Sequence, residues 1–515
     1  MSNSKQRPNV VVIGSGFAGI SAAAYLARSG ANVTVLEKNE GPGGRASVLK
    51  EDGFQFDMGP SWYWMPDVFE KWFADFGSTP AEHYDLQRVN PSYRVWFAKD
   101  DYIDVPAKLS ELYDLFESLE PGSGPNLKKF LDAAGYKYDV GIGELVHLPS
   151  RTVTEFIDFR LLKGLMKMKL FQSYEKHVDA LFKNERIKRI LEFPVYFLGG
   201  TPANTPSLYS LMSYADLALG TWYPMGGMHE VIKGMVRVAE SMGVEFRYNE
   251  AVTSIEVNGK DARVLHTVNG GENGRIEADI VVGGADYHHI EQHLLKPEYR
   301  QYSESYWDSR VMAPSSLIFY LGVDRRTPEL LHHNLFFDAD FDEFAEEIYD
   351  NPTWPRRPLF YVNVPSATDP ICAPEGQEAV FILVPVAPGL ENNKEEHERL
   401  YHEVLQRLEE QTGTSIRDHV IYRKDFAHKE FIDRYNAFKG NAYGLANTLM
   451  QTAILKPGIK SPKVKNLYYT GQLTVPGPGV PPSLISGSVV AGEIVKDYSR
   501  DFEWKKQPLR QTVVV

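Results

Sequence analysis

The 515-residue chain has a single cysteine, Cys372. An internal disulfide is therefore impossible and a cysteine metal cluster is excluded, a usage that fits a reducing compartment. Positive charge is also short. The 55 Lys and Arg stand against 68 Asp and Glu, a formal net charge of −13, which argues against a nucleic-acid binder because duplex contacts demand clustered cations. No apolar run reaches the roughly 18–20 residues of a membrane-spanning helix, and the opening MSNSKQRPN lacks the apolar core of a signal peptide. A cytoplasmic protein, soluble or attached to a membrane surface, is the expectation. Hydrolytic signatures are missing as well: there is no HExxH, and no G-x-S-x-G on a strand-to-helix turn. His289 and His293 have a helical metal-ligand spacing but no recognisable third ligand, so no metal is expected. Disorder is excluded by 43% hydrophobic and 24% charged residues, and the length allows two or three domains.

What is present is glycine in a specific place. Val10 to Glu37 reads VVVIGSGFAGISAAAYLARSGANVTVLE, an apolar strand, Gly14-x-Gly16-x-x-Gly19, a helical run and a second strand ending in an acid. Gly14 suits the tight turn, Gly16 leaves room for a pyrophosphate, and Gly19 lets the helix lie close to the sheet. Phosphates then rest on the helix N-terminus. Glu37, 18 residues beyond Gly19, stands where a carboxylate accepts hydrogen bonds from an adenosine ribose. A second glycine-rich segment follows, Gly41 to Arg45 (GPGGR) and Gly53 to Ser61 (GFQFDMGPS). A long, permanently held FAD needs such extra backbone contacts, whereas a nicotinamide dehydrogenase has no evident need for them. The cofactor expected is FAD.

Trp62-Tyr63-Trp64-Met65 follows at once, either core or the lining of an apolar substrate cavity beside the flavin. Val89 to Val105 alternates as a hairpin around Lys99-Asp100-Asp101, and residues 109–191 read as almost wholly helical. Within them, Phe156 to Phe171 joins a broad apolar face to Arg160, Lys163, Lys167 and Lys169. It reads as a core helix with a basic edge or as a lid dipping into an anionic bilayer. Strands are predicted at Val244 to Tyr248, Val252 to Val257 and Ala278 to Val282, restoring a parallel-sheet signature far from the first unit, and a second sheet at Ser315 to Gly322, Leu359 to Val364 and Ala379 to Val386. Lys465 to Gln472 is a strand running into glycine, and Pro476 to Pro482 leads into a helix predicted from Ser483. A helix N-terminus aimed at the flavin would stabilise negative charge on its reduced ring.

The blocks GSGFAGISAAAYLARSG, LEKNEGPGGRA, GFQFDMGPS, FLGGTPANTPSLYSLMSY, WYPMGGMHEVIKGM, YNAFKGNAYGL and NLYYTGQLTVPGPGVPPSLISG resemble the bacterial-type carotenoid desaturases, phytoene desaturase most of all, over nearly the whole chain. The first and last belong to the wider amine-oxidase-like flavoprotein group. The resemblance implies an α/β fold: a discontinuous Rossmann-like FAD-binding domain (residues 1–66, 222–290 and 460–500), an inserted mixed-sheet substrate domain (67–108 and 291–459), and a helical membrane-facing subdomain (109–221). Around FAD it places Gly14, Gly16, Gly19, Glu37, Gly44, Arg45, Gly471 and Val480; Phe17, Ala18, Lys38, Gly43, Gly59, Pro60, Ser61, Val252, Gln472, Gly479 and Pro481 are expected at the cofactor too, and Trp62, Trp64 and Trp222 along the substrate cavity. Gln472 stands where related flavoproteins often have an acid, and Pro481-Pro482 where other desaturases commonly have Pro-Gly.

The implied reaction is hydride transfer from an allylic carbon of a long isoprenoid to flavin, then loss of a proton, converting phytoene towards lycopene. Oxygen or a quinone would be the final acceptor. Glu155 and Asp158 are the candidate bases. The partners expected are the isoprenoid and a membrane surface, to which the protein attaches peripherally. Three alternatives stay open: a desaturase of another carotenoid or of dehydrosqualene, an amine oxidase with an aromatic cage at Trp62 and Trp64, and a non-catalytic prenyl-lipid escort resembling the Rab GDP-dissociation inhibitors.

Overall fold

The computed structural model describes residues 6–152, 155, 172–196 and 199–505. Phe156 to Phe171 and Asp158 lie outside the described residues. Strand β1 (Asn9–Ile13) forms the centre of a five-stranded parallel sheet. On one side it pairs with β2 (Asn32–Leu36), which continues to Glu245–Arg247; on the other it pairs with Ile280–Gly283, then Leu467–Tyr469. Four separated stretches of chain thus build one sheet. Its strand order reverses at β1, and the crevice beyond the carboxyl ends of the strands at such a point is where open α/β sheets bind ligands.

Helix α1 (Phe17–Arg28) connects β1 to β2. Its run Ala22-Ala23-Ala24 combines high helix propensity with side chains small enough to bury completely. The C-terminal helix Val480–Asp497 lies against it so closely that a Cβ on Gly487 would stand 2.5 Å from the Ala18 carbonyl oxygen. That helix begins at Val480, three residues earlier than the predicted start at Ser483, because Pro481 and Pro482 occupy its first turn, where proline's missing N–H costs nothing.

The stretch from Val252 does not enter the parallel sheet. It belongs to a separate three-stranded antiparallel sheet, Glu250–Asn258, Asp261–Asn269 and Glu272–Glu277. The reason is in the turns. Asn258-Gly259 and Asn269-Gly270 are hairpin signals, and Gly259 and Gly270 adopt φ +65° and +58°.

A seven-stranded sheet forms the second layer, in the order Val420–Phe426, Ser315–Val323, Glu378–Val386, Phe360–Asn363, His333–Phe336, Tyr93–Ala98 and Asp101–Val105. It is mixed, since His333–Phe336 runs parallel to Tyr93–Ala98 while the other pairs are antiparallel. Two of its strands, His333–Phe336 and Val420–Phe426, were not predicted: the first has only four residues and is buried throughout, so no alternation marks it. Helices Leu109–Leu119, Ser123–Gly143, Glu185–Tyr196 and Ser210–Leu217 gather beyond this sheet.

The tight contact at Gly487 supplies a test of this packing. Gly487→Ala is expected to cost about 1–3 kcal/mol, the usual price of overpacking, because its methyl group meets Ala18 O, Ser21 Cβ and Ala22 N at 2.5–2.7 Å. Urea unfolding should show the midpoint displaced downwards; an unchanged midpoint would mean that the two helices separate at no cost.

Candidate functional site

β1 ends at Gly14, whose φ of +95° only glycine adopts freely. The chain then turns into α1 with Gly16 at the N-cap and no side chain capping the helix. Ile20 N donates to Gly16 O, so the N–H groups ahead of it keep no partner within the helix and face the crevice. A Cβ on Gly16 would meet nothing within 4 Å and would occupy the cradle itself. The second glycine segment closes over it: Gly43 N donates to Ser15 O at 2.8 Å, and a Cβ on Gly44 would stand 3.5 Å from Gly16 Cα.

These residues line a cavity of about 980 Å³, at the upper end of the roughly 300–1,000 Å³ of ligand sites. Every residue expected around FAD lines it except Gly19. Gly19 acts from behind, since a Cβ there would lie 2.0 Å from the Gly14 carbonyl oxygen and force the turn open. Trp62 and Trp64 line the cavity as well. Trp222 does not. Its indole lies under the Arg88 guanidinium, its Nε1 donates to Leu219 O, and its backbone pairs with Tyr63.

Glu37 is buried and already occupied. Oε2 accepts from Ser15 N and Oγ at 2.9 and 2.8 Å, and Oε1 from Asn39 N and Nδ2 at 2.9 and 2.8 Å. A carboxylate has about four acceptor positions. A ribose hydroxyl reaching Glu37 must share it with Ser15 or displace the Ser15 hydroxyl.

Arg45 brings a cation to the site. Nη2 donates to Asn441 O at 3.1 Å, while Nε is buried without a partner among the described residues. With its amide oxygen turned towards Arg45, Gln472 accepts from Nη2 at 2.9 Å. A neutral amide at Gln472 leaves the guanidinium uncompensated on that side, with Asp286 as its counter-charge. Burial pushes the Asp286 carboxyl up, and Arg45 opposes the shift. A glycine cradle, an uncapped helix N-terminus and a guanidinium whose buried Nε has no partner among the described residues fit the diphosphate of FAD.

The C-terminal helix opens on the same cavity through Gly479 to Ser483. Pro481 and Pro482 have no N–H, and Ser483 N donates back to Gly479 O. Val480 N is therefore the one free donor of that turn, although the positive end of the helix dipole remains.

Beyond Ser61 the lining becomes apolar, with Trp62, Trp64, Ile142, Leu208, Leu211 and Met212. Trp64 is anchored from outside by a chain of hydrogen bonds: Nε1 to Thr221 Oγ1, Thr221 to Asp216, and Tyr93 OH to Asp216. Burial pushes the Asp216 carboxyl up to about 7.

Glu155 does not line this cavity; its Oε1 accepts from Arg151 N and Thr152 N. His289 does line it, and burial pushes its imidazole down to about 4, while His293 is exposed. Among the described residues no three His, Cys, Asp or Glu converge as metal ligands.

Besides Asp216 and Asp286, three further polar groups at the site escaped sequence reasoning. Tyr361 and Asn447 line the cavity, and Lys456 lies behind Asn447, donating to its Oδ1 at 3.0 Å. Burial pushes Lys456 down to about 7. No motif surrounds any of the three, so only long-range folding reveals them.

Residues 17–495 match the family described as flavin containing amine oxidoreductase. The carotenoid 3,4-desaturase of Haloarcula japonica is 41% identical over 490 residues, covering 95% of this chain and 98% of that protein. The zeta-carotene-forming phytoene desaturase of Myxococcus xanthus is 32% identical, covering 96% of this chain and 95% of that protein. Among solved structures, an oxidoreductase from Methanosarcina mazei aligns with a TM-score of 0.61 at 17% identity, covering 94% of this chain and 100% of that chain, a likeness of fold alone.

Gly16→Val tests the cradle. Its side chain enters open space, so the variant is expected to fold with near-parental stability yet lose the yellow cofactor. A full complement of FAD in the folded variant would refute the assignment of this loop.

Proposed function

The chain belongs to the flavin containing amine oxidoreductase family and is an FAD-dependent carotenoid desaturase within it, and from that premise we propose that it takes a C40 polyene from a bilayer and oxidises an allylic CH–CH unit. One observation carries the reading: the glycine cradle and the apolar arm are parts of one continuous cavity. Gly14 to Ala18 with Arg45 would hold the FAD diphosphate, and Gly471 with Val480 would border the ring. FAD held there would supply the hydride acceptor.

The protein's own contribution is alignment and dryness. Trp62, Trp64 and Leu211 form rigid apolar walls that hold the polyene and exclude water. A cation spread along a conjugated chain needs no hydration, so such walls suit it. Phytoene is the substrate named for the Myxococcus xanthus relative. The Haloarcula japonica relative, at 41% identity, favours a second substrate reading, the 3,4-bond of an already conjugated carotenoid. Oxygen or a quinone is proposed as the final electron acceptor.

Anaerobic mixing of the oxidised protein with phytoene, and separately with a carotenoid saturated at the 3,4-bond, tests both substrates. Bleaching of the flavin with a red-shifted product is expected for at least one. Bleaching by amines alone, or a strict need for stoichiometric NAD or NADP, would overturn the mechanism.

Supply of the substrate supports membrane attachment. Each methylene is worth about 0.8 kcal/mol against water, so diffusion through solvent cannot feed the cavity, and no helix of the described residues is long and apolar enough to span a bilayer. Met450, Ile454 and Leu455 are 74%, 40% and 45% exposed, directly beside the cavity-lining Thr452 and Ala453. We assign the bilayer contact to this segment. Met450→Ser with Leu455→Ser is expected to reduce liposome cosedimentation severalfold and to slow turnover of bilayer-held substrate, with turnover in detergent unchanged. Parental values in both liposome assays would place the contact elsewhere.

A further inference from the structure

Desaturation removes a proton as well as a hydride, and among the described residues the apolar arm offers no carboxylate to receive it. Among the described residues, the acids lining the cavity are Glu37, Glu250 and Asp286. All three lie at the glycine-turn end: Glu37 holds Ser15, Glu250 N donates to Glu37 O, and Asp286 faces Arg45.

Where the cavity turns apolar, a different group of side chains meets. Ser61 and Tyr361 line the wall, with Ser61 Oγ 2.9 Å from the Tyr361 hydroxyl. That hydroxyl lies 2.6 Å from Nδ1 of His333, on the neighbouring strand of the seven-stranded sheet. His333 is fully buried, and its Nε2 has no partner among the described residues. Its ring is stacked on Trp62, with centroids 4.0 Å apart and planes 10° from parallel.

We propose that Ser61, Tyr361 and His333 are the proton exit of the desaturation, an assignment that rests on the desaturase reading above. With Nδ1 unprotonated, Tyr361 donates to His333 and accepts from Ser61, so the Ser61 oxygen keeps free lone pairs towards the cavity. Once the hydride has left the allylic carbon, the C–H bond of the adjacent carbon breaks and its electron pair becomes the new C=C bond. The proton goes to Ser61 Oγ, the Ser61 proton passes to Tyr361, and the Tyr361 proton passes to His333 Nδ1. The imidazolium so formed lies on the π face of Trp62, which favours a cation. After the product leaves, the proton returns along the same chain to Ser61 and passes to water that enters the emptied cavity, which restores the neutral His333, Tyr361 and Ser61.

Burial holds the His333 imidazole well below its usual range. It is thus a weak base, and a weak base suffices, because a C–H bond next to a carbocation is a strong acid. The same weakness lets the proton leave again before the next turnover.

The test separates the two hydrogens. Substrate is deuterated either at the carbon that loses hydride or at the neighbour that loses the proton. In Tyr361→Phe, turnover is expected to fall about 100-fold, the lower range for general acid–base catalysis. The isotope effect at the proton-losing carbon should rise while that at the hydride-losing carbon falls. His333→Asn, which keeps an acceptor near the Nδ1 position without its basicity, should produce the same split and decides the matter if Tyr361→Phe fails to retain FAD. A readout independent of turnover is the ¹⁵N spectrum of labelled histidine, where the parent His333 should carry its proton on Nε2. The proposal is overturned by parental turnover in both variants, by slower turnover with both isotope effects unchanged, or by a protonated Nδ1. A parent protein that forms no product from any polyene refutes the desaturase reading itself.

Discussion

A Cβ at Gly19 would stand 2.0 Å from the Gly14 carbonyl oxygen, and one at Gly487 would stand 2.5 Å from the carbonyl oxygen of Ala18. The molecule depends on these two close approaches. The first draws α1 against the turn that ends β1, so that its N-terminal amides face the crevice. The second draws the C-terminal helix onto α1, so that its own N-terminus opens on the same space. Two helix ends therefore converge although 463 positions separate Gly16 from Gly479. Ser486 ties the second helix down: Oγ accepts from Thr470 Oγ1 and Gly471 N and donates to Val475 O.

From that frame the cavity acquires two chemical halves. Near α1 it carries backbone N–H groups, Arg45 and carboxylates, an environment for phosphates and sugar hydroxyls. Past Ser61 it carries indoles and aliphatic side chains, which suit a hydrocarbon. The boundary between them is held by side chains from the seven-stranded sheet, and Trp62 belongs to both sides, lining the cavity and stacking on His333. A reaction that moves a hydride from a hydrocarbon to a bound dinucleotide needs such a boundary.

Buried titratable groups follow the same division. Lys456 behind Asn447 and His333 behind Tyr361 sit one side chain back from the cavity, Asp216 sits two back behind Trp64 and Thr221, and burial drives each towards its neutral form. Around the hydrocarbon the protein thus keeps its polar groups hydrogen-bonded but weakly charged, which limits the water that the wall would otherwise attract.

How much of this was legible in the residues depends on the range over which each feature is encoded. The β1–α1–β2 unit is local: the apolar strands, three glycines and Glu37 lie within 28 residues, and the glycines are required by the backbone of the turn itself. The second glycine segment and the proline-rich entry to the last helix are equally local, and all the FAD contacts read from them except Gly19 line one cavity. The hairpin at Asn258-Gly259 was also encoded locally but was overshadowed by the neighbouring β-formers. Trp222 was drawn away from the cavity by Arg88, and Glu155 by the backbone of Arg151 and Thr152, contacts that no spacing reveals. His333 and Tyr361 are 28 residues apart and meet because two antiparallel strands set their register, with Ser61 arriving from 300 residues away. The sequence by itself determined the dinucleotide cradle, since steric demands on a few adjacent residues suffice for it. The tertiary structure alone decided which polar side chains meet at the hydrocarbon, because that depends on strand register and helix packing among residues with no local reason to be near one another.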